Sequence, residues 1–146
     1  MVTLQEKEST ISNSEWEVMR IIWTLEPVNS TKVIQELQAK KNWSESTIKT
    51  LLRRLVKKNL LEPSKEGRHF DYSSKINQTQ VMIEAAEELL NRMCDMHKGE
   101  VLLQLLANSP ISKSDLEKIK QEVTVKEKSA PDMVPCNCLP DKEHVC

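Results

Sequence analysis

Along SNSEWEVMRIIWTLEP (12–27) the apolar residues Trp16, Met19, Ile22 and Trp23 recur at i, i+3, i+6 and i+7, the spacing of one helix face. Ser12 with Glu15, or Ser14 with Glu17, has the capping-box separation that satisfies free N–H groups at a helix start, and Pro27 stops the pattern. Both tryptophans read as core packing. A shorter stripe of Val33, Ile34 and Leu37 follows in NSTKVIQELQAKKNW (29–43), with Ser30 or Thr31 as its cap. A third helix is predicted in WSESTIKTLLRRLVKKN (43–59), where Ser44 is the candidate N-cap and Glu45 suits the positive end of the helix dipole. Three helices in such short compass, the last two separated by a polar turn, match the helix-turn-helix plan.

The third helix divides cleanly when its residues are placed at ~100° intervals from Ser46. Ile48, Leu51, Leu52 and Leu55 gather on one side, and Ser46, Lys49, Thr50, Arg53, Arg54 and Lys57 gather opposite, a cationic and hydroxylated face with no acid in it. A solvated face generally mixes both signs, so this one is predicted to read DNA. In LLEPSKEGRHFDYSS (60–74) two extended runs flank Pro63-Ser64-Lys65-Glu66-Gly67, which predicts a β-hairpin turning at those residues. A hairpin directly after a recognition helix is the wing of a winged helix, with Lys65 and Arg68 near its tip to grip phosphates.

Helical periodicity returns over 77–123. NQTQVMIEAAEELLNRMCDMH (77–97) carries Val81, Ile83, Ala86, Leu89, Leu90 and Met93; a shorter, very apolar helix follows in GEVLLQLLANSP, and then SKSDLEKIKQEV, with Ser112 and Asp115 at capping-box-like spacing. A small winged helix offers little surface to cover so many leucines, so they are predicted to pack on a second copy; the twofold of a homodimer matches a dyad operator. Cys94 and His97, at i and i+3, read as packing or helix-end residues in preference to metal ligands.

Composition changes this picture in two places. The net charge of -1 conceals an asymmetry: 13 Lys/Arg against 10 Asp/Glu in residues 1–76, and 8 against 12 beyond. The polyanion partner therefore belongs to the first half. With 38% hydrophobic residues, 3% aromatics and two glycines, the chain is predicted to be a mainly α protein with no Gly-rich nucleotide fold. No run is apolar enough for a membrane span, and MVTLQEKESTIS lacks the apolar stretch of a leader, so a cytoplasmic protein without membrane partners is expected.

Three of the four cysteines stand at the end of the chain, in TVKEKSAPDMVPCNCLPDKEHVC. Three prolines and no sustained apolar period mark 124–146 as a flexible tail. Cys136, Cys138, His144 and Cys146 form a set able to close a tetrahedral Cys3His zinc site, and thiolates also suit Cu(I). The domains expected are a winged helix at 1–76, a helical dimerisation region at 77–123 and a metal-binding tail at 124–146.

ISNSEWEVMRIIW, WSESTIKTLLRRLVKKNLL and EGRHFDYSS, in that order, resemble the signature of the BlaI/MecI/CopY family of winged-helix repressors, and the cysteine tail resembles that of its copper-responsive CopY branch. The resemblance implies a homodimer that represses copper-export genes from a dyad operator. It implies Zn2+ in the repressing form, Cu(I) as the inducer that displaces it, and a copper chaperone as a candidate partner. Two features depart from the pattern: His144 stands where the branch usually has a third tail cysteine, and the Asn-Phe pair at which the antibiotic-resistance branch is cleaved does not occur.

Ser46, Thr47, Lys49, Thr50 and Arg53 are expected to face the major groove. Thr31, Lys32, Trp43, Arg54, Lys57 and Arg68 are expected to hold phosphates, Trp43 being equally a core anchor. The competing readings are a resistance-type repressor relieved by proteolysis and a copper- or zinc-buffering protein. An enzyme is not expected, since the chain shows no Ser/His/Asp order, no phosphate-cradling Gly-rich loop and no carboxylate pair in a recognisable setting.

Overall fold

The computed structural model describes residues 11–141 and 145–146; the first ten residues of the segment read above for a leader and the predicted ligand His144 lie outside the described residues. The chain divides into two compact units, one reaching Glu88 and the other running from Leu89 to Cys146.

In the first unit α1 (Asn13–Leu25), β1 (Val28–Asn29), α2 (Ser30–Lys40), α3 (Glu45–Lys57), β2 (Leu61–Glu66) and β3 (His69–Ser74) succeed one another. Ser12 caps α1: its hydroxyl accepts from Glu15 N and donates to the Glu15 carboxylate, which selects the first of the two predicted capping boxes. The cap of α2 is Asn29, whose side chain accepts from Lys32 N, and not Ser30 or Thr31 as expected. Asn29 belongs to β1, so the strand's extended backbone delivers the cap. Ser44 caps α3 as predicted.

The C-terminus of α3 closes in a Schellman arrangement. Asn59 takes a left-handed φ of 66°, Asn59 N donates to Val56 O, and Leu60 N donates to Leu55 O. This reversal seats Leu60 over Leu55, both fully buried, and aims the chain into the hairpin.

The sheet is three-stranded in the order β1-β3-β2, all antiparallel. The predicted hairpin is present, but its turn is displaced. Pro63 to Glu66 lie within β2, and the chain reverses at Gly67-Arg68, where Glu66 pairs with His69 and Gly67 has a φ of 63°. A two-residue reversal with glycine leading matches the twist of the strands, and β2 is an edge strand, where a proline costs no ladder bond. The two-residue β1 was too short to predict.

The core joins Val18, Met19 and Ile22 of α1, Val33 and Leu37 of α2, the predicted Ile48, Leu51, Leu52 and Leu55 of α3, and Leu60 and Leu61. The tryptophans are less buried than predicted. Trp23 packs at the edge of the core and donates from Nε1 to Ser74 Oγ, with the tilted ring of Trp16 5.8 Å away. The nearly buried Glu15 receives Lys58 Nζ at 2.8 Å on both oxygens, tying the start of α1 to the end of α3.

The helix α4 (Gln78–Asn91) starts at Asn77, whose side chain accepts from Gln80 N, and crosses the boundary between the units. A 3-10 turn (Asp95–His97), α5 (Lys98–Asn108) and α6 (Lys113–Glu127) follow. The helix expected through residue 97 stops six residues earlier and leaves Cys94 in an extended conformation. α6 in turn continues beyond Val123, with the Thr124 hydroxyl folded onto Lys120 O. Leu102, Leu103, Leu105, Leu106 and Val123 remain exposed in the single chain, and α5 and α6 share an apolar groove of about 540 Å3.

Candidate nucleic-acid interface and metal centre

α3 presents the predicted face because its four buried residues orient it. Burial is worth ~1.5–3 kcal/mol for each large aliphatic side chain, enough for the apolar stripe to fix which side meets solvent. Ser46, Thr47, Lys49, Arg53, Arg54 and Lys57 are exposed and Thr50 half-buried. The hydroxyls are organised from the cap: Ser44 Oγ accepts from Thr47 N and lies 3.1 Å from Ser46 Oγ and 2.9 Å from Thr47 Oγ1, while Thr50 Oγ1 donates to Ser46 O.

The face itself holds no acid, but carboxylates beside it pair with two of the predicted contact lysines. Glu45 holds Lys49 at 2.7 Å, and on α2 Glu36 holds Lys32 at 2.9 Å. Both are i, i+4 pairs with exposed side chains, so each is worth only ~0.3–0.5 kcal/mol and yields readily to a phosphate. Among the described residues Arg53, Arg54, Lys57 and Arg68 have no carboxylate partner. Arg68 stands at the hairpin tip and Thr31 is exposed in the first turn of α2. Trp43 packs against the core, its expected alternative to a phosphate contact.

The second unit gathers four thiols. Cys94, Cys136, Cys138 and Cys146 have sulfurs all within 4.8 Å of one another. Three are the predicted tail ligands; the fourth is Cys94, which sequence reading assigned to packing. No local signal revealed it, because 42 residues separate it from the CxC pair and only the return of the tail joins them.

Besides the thiol contact, hydrogen bonds hold that return: Asn137 Oδ1 accepts from Asp95 N at 2.9 Å, and His97 Nε2 lies 3.3 Å from Cys146 O. The first fills the amide left open where the 3-10 turn begins. Cys136 is buried, and Cys138 N donates to its sulfur.

Four thiols this close do not ionise independently. The hydrogen bond from Cys146, 2.9 Å away, lowers the Cys94 thiol to about 6, whereas hydrogen bonding to Cys136 and then Cys94 raises Cys138 to about 11. Cys146, hydrogen-bonded to Cys94 first and Cys136 next, is also raised. Of Cys94, Cys138 and Cys146, the Cys94 thiol is thus the most readily deprotonated. A soft cation fits this donor set, since it replaces the protons and neutralises thiolates that otherwise repel one another.

The penicillinase repressor family profile matches residues 11–125 and so ends ahead of Cys136. An uncharacterised 16.5 kDa protein from the ptsI 3' region of Latilactobacillus sakei is 43% identical over 139 residues, 95% of each chain. The penicillinase repressor of Bacillus licheniformis is 34% identical over 116 residues, 80% of this chain and 91% of that one. A solution structure of Bacillus licheniformis BlaI in monomeric form with the blaP half-operator is 44% identical, covering 48% of this chain and 85% of that one, with a TM-score of 0.44.

Proposed function

The chain belongs to the penicillinase repressor family, and on that premise we propose that it is a DNA-binding transcriptional repressor whose operator affinity is set by a soft metal ion at the thiols of its tail. Zn2+ is the ion of the DNA-binding form and Cu(I) the inducer. The observation that carries the metal half is the position of the tail thiols: Cys136, Cys138 and Cys146 converge although they lie outside the matched family region. A repressor relieved by proteolysis has no use for that convergence.

The DNA half follows from α3. Arg53 reaches base edges beside the hydroxyls of Ser46, Thr47 and Thr50, while Arg54, Lys57 and Arg68 neutralise phosphates and fix register. The exposed leucines of α5 and α6 are covered by a second copy, whose twofold places two recognition helices on a dyad operator. Thiolates supply the tetrahedral set that Zn2+ prefers and equally suit Cu(I), which is content with fewer ligands. Exchange between ions matters for DNA only if the residues around the cluster adopt different arrangements with each, since an ion bound equally in both states shifts nothing.

An operator gel shift under reducing conditions tests the reading. Retardation with Zn2+ and release on adding Cu(I) is expected. Retardation insensitive to both ions would overturn the metal half, and the absence of a protected dyad in footprinting would overturn the repressor itself.

A further inference from the structure

We propose that Cys94, in the turn between α4 and α5, is the fourth sulfur ligand of a thiophilic d10 ion whose other ligands are Cys136, Cys138 and Cys146, so that metal binding fastens the tail to the foot of α5. This rests on the metal half of the proposed function and changes its ligand set: the sequence pointed to His144 for the fourth position.

The geometry favours sulfur. A tetrahedral ion with metal–sulfur bonds of about 2.3 Å has sulfur–sulfur edges of about 3.8 Å. The four Sγ atoms, each within 4.8 Å of the others, lie close enough together to be ligands of one ion. The Cys94–Cys146 edge, at 2.9 Å, opens by about an ångström to accept the ion. Four sulfurs fill every position of a closed structural site, leaving none for an imidazole.

A second observation is independent of the thiols. Asn137, the residue between the two cysteines of the CxC pair, has its side chain on Asp95 N, the amide directly after Cys94. One hydrogen bond thereby registers Cys136 and Cys138 against Cys94. The N–H of Cys138 directed at Cys136 Sγ at 3.5 Å is a donor placed to stabilise a metal-bound thiolate. Asn137 is on this account a positioning residue. The turn is also the place where a ligand has most leverage within its unit, because α5 begins directly after it and carries the exposed leucines.

The test is X-ray absorption at the zinc edge on the full-length chain loaded with one equivalent of Zn2+. Four sulfur neighbours are expected. Cys94→Ser should lower the sulfur number to three with one nitrogen or oxygen neighbour, while His144→Ala should leave it at four. The reverse pattern, with sulfur number unchanged in Cys94→Ser and a nitrogen neighbour lost in His144→Ala, would overturn the proposal. Asn137→Ala retains every thiol and should weaken Zn2+ binding ~10–100-fold in chelator competition without changing the sulfur number; unaltered affinity would refute the tether. Circular dichroism of each variant confirms the helices. A four-sulfur site in a protein whose DNA binding ignores Cu(I) would leave this site standing and remove the copper-responsive reading. Copper release with a three-sulfur site would do the opposite.

Discussion

Replacing Lys57 by alanine removes a cation from the exposed side of α3 at a point where no buried contact is lost. Lys57 is exposed in the last turn of the helix and has no carboxylate partner among the described residues, so the folded protein should change by less than ~0.5 kcal/mol. Its expected work is on DNA. Each phosphate neutralised contributes about 0.9 to the slope of log affinity against log salt, and a dimer on a dyad carries two copies, so the slope should flatten by about 1.8. Across a fourfold rise in salt, from about 50 to about 200 mM, wild type should lose ~12-fold more affinity than the variant. Fluorescence anisotropy with an operator and a scrambled duplex at several salt concentrations measures both slopes. The flattening should be the same on the two duplexes. An unchanged slope would show that Lys57 meets no phosphate, and flattening on the operator alone would make it a base reader.

Arg53→Ala should behave differently, costing ~1–3 kcal/mol of discrimination between operator and scrambled DNA in the same assay; equal losses on both duplexes would place Arg53 on the backbone. Glu15→Ala strips Lys58 of its carboxylate and opens the capping box at the start of α1, and should lower the unfolding free energy by ~1–3 kcal/mol in urea melts. A change below half a kilocalorie would show that the buried pair only offsets its own desolvation. Leu105→Glu places a charge on the exposed apolar face of α5 and should shift sedimentation from dimer to monomer while circular dichroism is retained; a persistent dimer would locate the interface elsewhere. Zn2+ affinity should climb steeply between pH 6 and 8. Cys138 and Cys146 are raised and hold protons there that the ion must displace, and the slope should steepen further below about 6, where Cys94 protonates too. Flat affinity across that range in chelator competition would mean that these thiols are not ligands.

The recognition surface and the thiol cluster differ in how far each is written locally. Ile48, Leu51, Leu52 and Leu55 stand on one side of α3 by arithmetic on a 3.6-residue period, so the opposite row of Ser46, Lys49, Thr50, Arg53, Arg54 and Lys57 had to face outward once that stripe was buried. The Glu45–Lys49 pair obeys the same arithmetic and was legible too. The wing was legible as a hairpin but not in its turn. Pro63 and Gly67 both break regular structure, and only the strand order and the pairing of Glu66 with His69 show that proline sits in an edge strand while Gly67 and Arg68 turn the chain.

Beyond the hairpin, local rules lose their hold. Periodicity would carry α4 through Cys94, and nothing in that stretch announces that the helix ends at Asn91. What completes the connecting turn is the side chain of Asn137, more than forty residues later, together with the thiols on either side of it. The sequence by itself determined the elements whose stability is local: three helices with the caps of the first and third, an apolar stripe on each, a basic face opposite one of them, and a tail rich in metal ligands. Only the tertiary structure decided which cysteine joins that tail, because a contact between distant residues follows from the closure of the whole loop and leaves no period, cap or spacing for a local reading to find.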